Sequence, residues 1–348
     1  MEKLILEEDI KDIAARLDGI YTDLSGKTIL ITGGLGFLGY YFIKVFTRLN
    51  KHHLSSPCKL IIADNGITGN EKKLDKSIIF IKQDICKPFQ VDQQLDYIIH
   101  AASIASPFYY QKYPLETFEA CTVGTKHLLE LAKTHAAKFI FFSSSEIYGD
   151  PDPAHVPTLE SYNGNVTTLG SRSCYDIGKR GGETLCYIYS GSYGVHTSII
   201  RPFNIYGPGM LQKDYRVIPN FASNILNNVP IKVYGNGEQT RTFCYITDAM
   251  VGFIKVMFNG VSHQAYNIGN PTPEISMKNL VTIFSNVIGK DIDFNLIEHP
   301  STYPKDEPNR RCPDIKKAQL QLGYEPKVTL ESGLKKFFNW AKENYKYQ

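Results

Sequence analysis

Tyr175 and Lys179 stand four residues apart, in Tyr175-Asp176-Ile177-Gly178-Lys179. At that spacing both side chains fall on one face of a helix. A phenol with a pKa near ~10 is a poor base at neutral pH. An ammonium one turn away, with a cationic ring beyond it, favours the phenolate. Such a phenolate can take the proton of an alcohol while hydride leaves the same carbon. Far upstream lies Thr32-Gly33-Gly34-Leu35-Gly36-Phe37-Leu38-Gly39. Gly33 allows a tight turn, Gly36 lets backbone approach a pyrophosphate, and Gly39 lets the next helix pack closely. Phe37 and Leu38 open that helix, whose free N–H groups and positive dipole end suit phosphates. The two segments together predict a bound nicotinamide dinucleotide and an alcohol oxidised beside it.

Asp64 ends the next apolar run, 25 residues after Gly39. A carboxylate there can accept both hydroxyls of an adenosine ribose and would repel a 2′-phosphate. No Arg follows closely, so the expected cofactor is NAD and not NADP. Asp84 and Ile85, after the third run, are placed beside the adenine. A serine triplet, Ser143-Ser144-Ser145, leads into Glu146 directly after a buried run. Loops at the carboxyl ends of parallel strands are where doubly wound sheets bind ligands. A hydroxyl there can hydrogen-bond the reacting alcohol, and Glu146 can serve as a further acid or base.

These residues need a frame. Short apolar runs at 28–31, 60–63, 78–81, 97–100, 139–142 and 197–200 alternate with helical patterns at 37–49, 115–134 and 175–193. The runs are uniformly apolar, as in strands buried on both faces. The alternation predicts an α/β fold, a Rossmann-type doubly wound parallel sheet. From about Gly207 glycine and proline are denser and the segments shorter. This predicts a smaller mixed α/β C-terminal lobe, with helices at 217–227, 248–258, 277–288 and 330–343. Ahead of the sheet, Leu6, Ile10, Ile13, Ala14 and Leu17 recur at helical spacing. That short helix is expected to pack on the body or on a partner subunit.

The 348 residues are 43% hydrophobic and 21% charged, ordinary for a soluble globular chain. A formal charge of +3 with no basic block argues against nucleic-acid binding. No run is long and apolar enough for a bilayer span or a signal peptide. The seven cysteines form no Cys-x-x-Cys pair. Reduced thiols in a cytoplasmic protein are the expectation. There is no Gly-x-Ser-x-Gly elbow and no Walker lysine loop. His52 and His53 are adjacent and the other histidines scattered, so no metal is expected.

In combination these segments resemble those of the extended short-chain dehydrogenases/reductases that modify nucleotide-sugars. The likeness runs from about Gly26 to the C-terminus. It rests on the glycine segment, His100-Ala101-Ala102, Ser144-Ser145-Glu146, Tyr175-x-x-x-Lys179 and Arg201-Pro202-Phe203-Asn204-Ile205-Tyr206-Gly207-Pro208. Within that group, the stretches around Ala105-Ser106-Pro107, Arg172–Arg180, Val233–Arg241 and Pro313–Ala318 are most similar to the UDP-glucuronate decarboxylases.

The resemblance implies an N-terminal helical extension over 1–25, an NAD-binding domain over 26–206 and a mainly nucleotide-sugar-binding lobe over 207–348, with some exchange of chain. It implies Tyr175 as base at the sugar C4 hydroxyl, Lys179 lowering its pKa and holding the nicotinamide ribose, and Ser144 on the same hydroxyl. Ser145 and Glu146 would face C5 and C6. Asn65, Ala101, Ala102 and Ser103 join the cofactor set. Asn204, Arg241 and Arg311 would hold the diphosphate, with Arg216 on the same side. Tyr110, Tyr234 and Gln239 complete the substrate set. A homodimer pairing through the helices around 115–134 and 175–193 is implied as well. The chain has Ser144 where these decarboxylases usually have Thr, and Cys121 where many relatives have Asn.

The implied chemistry is oxidation at C4, loss of carbon dioxide from the β-keto acid, reprotonation at C5 and return of hydride, giving UDP-xylose. The same first step serves a 4,6-dehydratase, a C4 epimerase or a 4-keto reductase, and fold alone does not choose among them. A cofactor-binding regulatory protein is the non-enzyme alternative. The intact Ser144, Tyr175 and Lys179 argue against it.

Overall fold

The structure is a computed structural model, and it describes residues 5–17, 19–69, 74–298 and 308–346. Six strands come from the chain before residue 203: β1 (Thr28–Thr32), β2 (Lys59–Asp64), β3 (Ile79–Lys82), β4 (Tyr97–His100), β5 (Lys138–Phe142) and β6 (Thr197–Pro202). A seventh, Gln264–Ile268, returns from the C-terminal half and pairs parallel with β6. The sheet order is seventh-β6-β5-β4-β1-β2-β3, and every pairing is parallel. The chain winds one way from β1 to β3, then restarts at β4 on the other side of β1. The crevice at the carboxyl ends of β1 and β4 is the switch point, where such sheets bind ligands.

All five residues of β1 are buried, as a strand covered on both faces requires. The run at 78–81 departs from that expectation. It forms the edge strand β3, and Ile79 and Phe80 are 42% and 44% exposed. An outermost strand has a neighbour on one side only, so apolar residues there remain partly open.

The helices are α1 (Glu7–Arg16), α2 (Phe37–His52), α3 (Pro107–Lys112), α4 (Pro114–Glu119), α5 (Thr125–His135), α6 (Ser173–Tyr193), α7 (Val217–Leu226), α8 (Ile246–Asn259), α9 (Met277–Ile288), α10 (Lys316–Leu322) and α11 (Leu330–Asn344). The single helix expected over 115–134 is α4 and α5 joined by one wide π turn, Ala120–Gly124. There Thr122 and Thr125 hydroxyls donate to the carbonyls of Phe118 and Cys121, at 2.8 and 2.7 Å. Wide turns of this kind are frequent at functional sites.

Helix α8 is buried along nearly all its length and packs on β6 and the seventh strand. The C-terminal half is therefore built into the sheet and not merely attached. Helix α1 packs on its own body, against α2 and α8, through Ile10, Ile13 and Ala14. Its Asp9 is fully buried, accepting from Tyr245 Oη at 2.7 Å and from Lys336 Nζ at 3.2 Å. Arg16 reaches the buried Asp248 at 2.7 Å. Among the described residues no helix is long and apolar enough to cross a membrane.

Candidate active site

The glycine turn after β1 has the shape a dinucleotide needs. Gly33 sits at φ +74, and a Cβ there would lie 2.6 Å from Ala102 Cα. A Cβ on Gly39 would lie 2.3 Å from the Gly33 carbonyl oxygen. The turn and the start of α2 thus touch with no room for a methyl group. Asp64 braces the turn from β2: its Oδ2 accepts from Leu35 N at 2.9 Å and its Oδ1 from Gly66 N at 2.8 Å. Each carboxylate oxygen keeps a lone pair for a ribose hydroxyl. The cradle, the open N-terminus of α2 and the carboxylate at the end of β2 fit NAD.

A cavity of about 880 Å³ runs from this turn into the C-terminal lobe. All five catalytic candidates line it, as does every substrate-side candidate, from Tyr110 to Arg311. Of the cofactor candidates, Gly33, Gly36, Phe37, Leu38, Gly39, Ala101 and Ser103 line it too. Asp64, Asn65, Asp84, Ile85 and Ala102 do not form its wall. Asp84 caps its own loop, accepting from Cys86 N at 3.0 Å, and the Ile85 side chain is buried under Gly124. Ala102 is the floor beneath Gly33.

Helix α6 brings the phenol to the cavity. Tyr175 is buried, stacks on Tyr110 at 5.6 Å between ring centroids, and has Ser144 as a neighbour. Lys179 Nζ donates to the Phe142 carbonyl at 2.6 Å and lies 5.7 Å from the Tyr175 ring centroid. Burial pushes the Tyr175 phenol up, and the neighbouring Ser144 hydroxyl only partly opposes it. Lys179 is itself held below its ordinary value by burial. In the polypeptide, desolvation outweighs the ammonium, which is directed at a carbonyl. Behind Lys179, His100 bridges Thr32 (2.9 Å) and Thr125 (3.1 Å), and burial holds it neutral, with a pKa pushed down to about 3.

Glu146 stands between two guanidiniums. It accepts from Arg172 and, at 2.7 Å, from Arg311 Nη2. Arg172 also faces Asp176 at 3.4 Å. Burial, and next the charge of Glu146, raises the Asp176 carboxyl. Arg172 and Asp176 received no role from the sequence. Their signal was present: an i, i+4 pair of opposite charge flanking the tyrosine.

On the far wall Asn204, at φ +44, donates to Thr242 O at 2.8 Å and lies 3.5 Å from Arg311. Arg241 directs its guanidinium at backbone carbonyls of Thr240, Asn309 and Pro308. Arg216 pairs with Asp214 at 2.7 Å. Ser143 Oγ and Gln239 Oε1 are among the buried side-chain oxygens with no hydrogen-bond partner among the described residues. Both residues line the cavity, so a polar ligand has donors and acceptors waiting.

The family model for the NAD dependent epimerase/dehydratase family matches residues 29–269. UDP-glucuronic acid decarboxylase 6 of Arabidopsis thaliana is 39% identical over 89% of this chain and 87% of its own length. UDP-glucose 4-epimerase of Thermotoga maritima, solved with UDP-glucose, superposes with a TM-score of 0.79 at 25% identity, covering 92% of this chain and all of its own. A dTDP-glucose 4,6-dehydratase from Streptomyces venezuelae, solved with NAD bound, gives 0.77 at 25% identity over 91% of this chain and 97% of its own. With the glycine cradle, the Tyr175–Lys179 pair and this match over most of its length, the chain belongs to the NAD dependent epimerase/dehydratase family.

Proposed function

We propose that the chain is an NAD-dependent nucleotide-sugar enzyme that oxidises C4 of UDP-glucuronate, loses carbon dioxide and yields UDP-xylose. The observation that carries this reading is the Glu146–Arg311–Arg172 cluster in the same cavity as Tyr175. A uronic acid brings a second carboxylate, and two guanidiniums are at hand to accept it. The decarboxylase name of the Arabidopsis thaliana relative points the same way.

Bound NAD would accept the two electrons removed from C4 and restore them at the end of the turnover. Tyr175 would then face positive charge from the oxidised nicotinamide as well as from Lys179. Tyr175 takes the C4 hydroxyl proton, with Ser144 holding that oxygen in place. Lys179 orients the cofactor ribose. The ketone at C4 lies β to the C6 carboxylate, so the C5–C6 bonding pair moves into an enolate as carbon dioxide leaves. Ser145, Glu146 or a water returns a proton to C5, and Tyr175 returns one to the C4 oxygen. Residues 26–206, with the returning strand, hold the cofactor. Residues 207–348 hold most of the nucleotide-sugar, with Asn204, Arg216 and Arg241 near the diphosphate.

We further infer a cytoplasmic homodimer. Leu115, Phe118 and Val123 on the α4–α5 segment and Tyr187, Ile188 and Tyr193 on α6 are exposed apolar side chains, and α4 and α6 pack side by side. Light scattering at twice the chain mass tests the dimer.

The reaction is tested by incubating the chain and NAD with UDP-, dTDP-, GDP- and CDP-sugars and weighing the products. Loss of about 44 mass units from UDP-glucuronate supports the reading; loss of about 18 from a hexose, or an epimer of equal mass, replaces it.

A further inference from the structure

Two aromatic rings from opposite lobes meet at the mouth of the cavity. Phe108 follows β4 in α3, and Tyr215 lies between Asp214 and Arg216 ahead of α7. Their ring centroids are 4.6 Å apart, with planes at 36°. Both rings line the cavity, yet they remain 47% and 46% exposed. The contact therefore lies where the cavity opens to solvent. Just inside it, Ser106 Oγ donates to the Asp214 carbonyl at 2.5 Å, and both of those residues are buried. The two lobes are thus joined across the opening by one polar and one aromatic contact.

Tyr215 adopts φ +66. A bulky L residue rarely takes this left-handed conformation, and holding it there is unfavourable. A half-exposed ring contact returns less stability than a buried one, so packing alone does not account for a strained tyrosine here. Strain of this kind is maintained at ligand clamps and gates. Position indicates which end of the cavity is guarded. Arg216 is the next residue along, and Tyr110, close after Phe108, stacks on Tyr175. The rings stand over the sugar and diphosphate, not over the Asp64 end.

The geometry points to a latch: Phe108 and Tyr215 close the mouth of the cavity over a bound nucleotide-sugar and set how fast nucleotide leaves. The ligand class rests on the nucleotide-sugar reading above; the ring contact does not. Opening needs only that the two rings part and the Ser106 hydrogen bond yield, a loop motion of the kind that often limits turnover.

The test uses the full chain loaded with NAD, and UDP as the ligand followed. Release is timed by stopped flow for wild type, Phe108→Ala, Tyr215→Ala, Tyr215→Gly and the Phe108→Ala/Tyr215→Ala double variant. Each single change is expected to speed release roughly three- to tenfold, the scale of one aromatic pair. The double variant should release no faster than the singles, because one contact is lost in all three. Tyr215→Gly relieves the left-handed backbone, so it should melt no lower than wild type while releasing UDP as fast as Tyr215→Ala. A purely structural tyrosine would not separate release from melting in this way. Wild-type release rates in the variants, or additive effects of the two singles, would overturn the latch alone. A wild-type chain that failed to bind UDP would overturn the nucleotide reading, and the ligand assigned to the latch with it.

Discussion

The Glu146 carboxylate and the Arg311 guanidinium are paired at 2.7 Å although 165 residues separate them in the chain. The pair joins the loop after β5 to a short strand of the C-terminal lobe, inside the cavity that holds Tyr175. Arg172 closes on the same carboxylate from the start of α6.

Replacing the charge tests this cluster. Glu146→Gln keeps the shape but leaves two guanidiniums facing a neutral amide. We expect folding to survive and kcat with UDP-glucuronate to fall about a hundredfold or more, the scale of a lost acid–base group. A variant within about threefold of wild type would remove Glu146 from the chemistry.

Tyr175→Phe retains the ring that stacks on Tyr110 and removes only the hydroxyl. NAD binding, followed by calorimetry, should persist. Product formation should drop by at least about a thousandfold, as expected when the proton acceptor is lost. Turnover by this variant at near wild-type rate would show that another group takes the C4 proton.

Acid should weaken the fold through His100. Its folded pKa is pushed down to about 3 by burial, with the charge of Lys179 adding to the effect, whereas an unfolded histidine titrates near ~6.5. The stability contributed by the neutral ring is complete above pH ~6.5. It is lost as pH falls from there towards 3, at about 1.4 kcal/mol per pH unit. Asp176 acts oppositely, because burial raises its carboxyl and the fold binds a proton the unfolded chain does not. Urea midpoints between pH 7 and pH 4 should therefore fall more steeply in Asp176→Asn than in wild type, and less steeply in His100→Gln. Parallel curves would contradict both assignments.

Gly39→Ala places a methyl group 2.3 Å from the Gly33 carbonyl oxygen. Helix α2 must shift away from the turn, and the turn must lose its shape. Affinity for NAD, measured by titration, should fall more than tenfold, a cost in the range of core overpacking. An unchanged dissociation constant would mean that the turn is not the cofactor cradle.

Strand positions were legible because buried parallel strands are written as unbroken apolar runs, as at β1, β2 and β5. The run that became β3 read the same way, since a local run does not say whether it will lie at the centre or the edge of a sheet. The seventh strand, Gln264–Ile268, was missed. It follows 56 residues of lobe after Gly207 and carries Gln264 and Asn267, so neither its order nor its composition announced it. The candidate catalytic side chains were singled out by local spacing, one turn of a helix or one loop after a strand. The Glu146–Arg311 pairing was not, because nothing local links the two positions. Nor could spacing reveal that desolvation would outweigh Lys179 at Tyr175, since that depends on how deeply the ring is enclosed.

The seventh strand has one more effect. Severing the chain near Gly207 would strip β6 of its outer neighbour and leave its N–H and C=O groups bare along a hydrophobic margin, an invitation to aggregate. The cofactor half cannot be borrowed alone as a free-standing module, nor the other half exchanged like a cassette. Whatever new sugars this scaffold comes to handle must be accommodated by changing side chains within an undivided body.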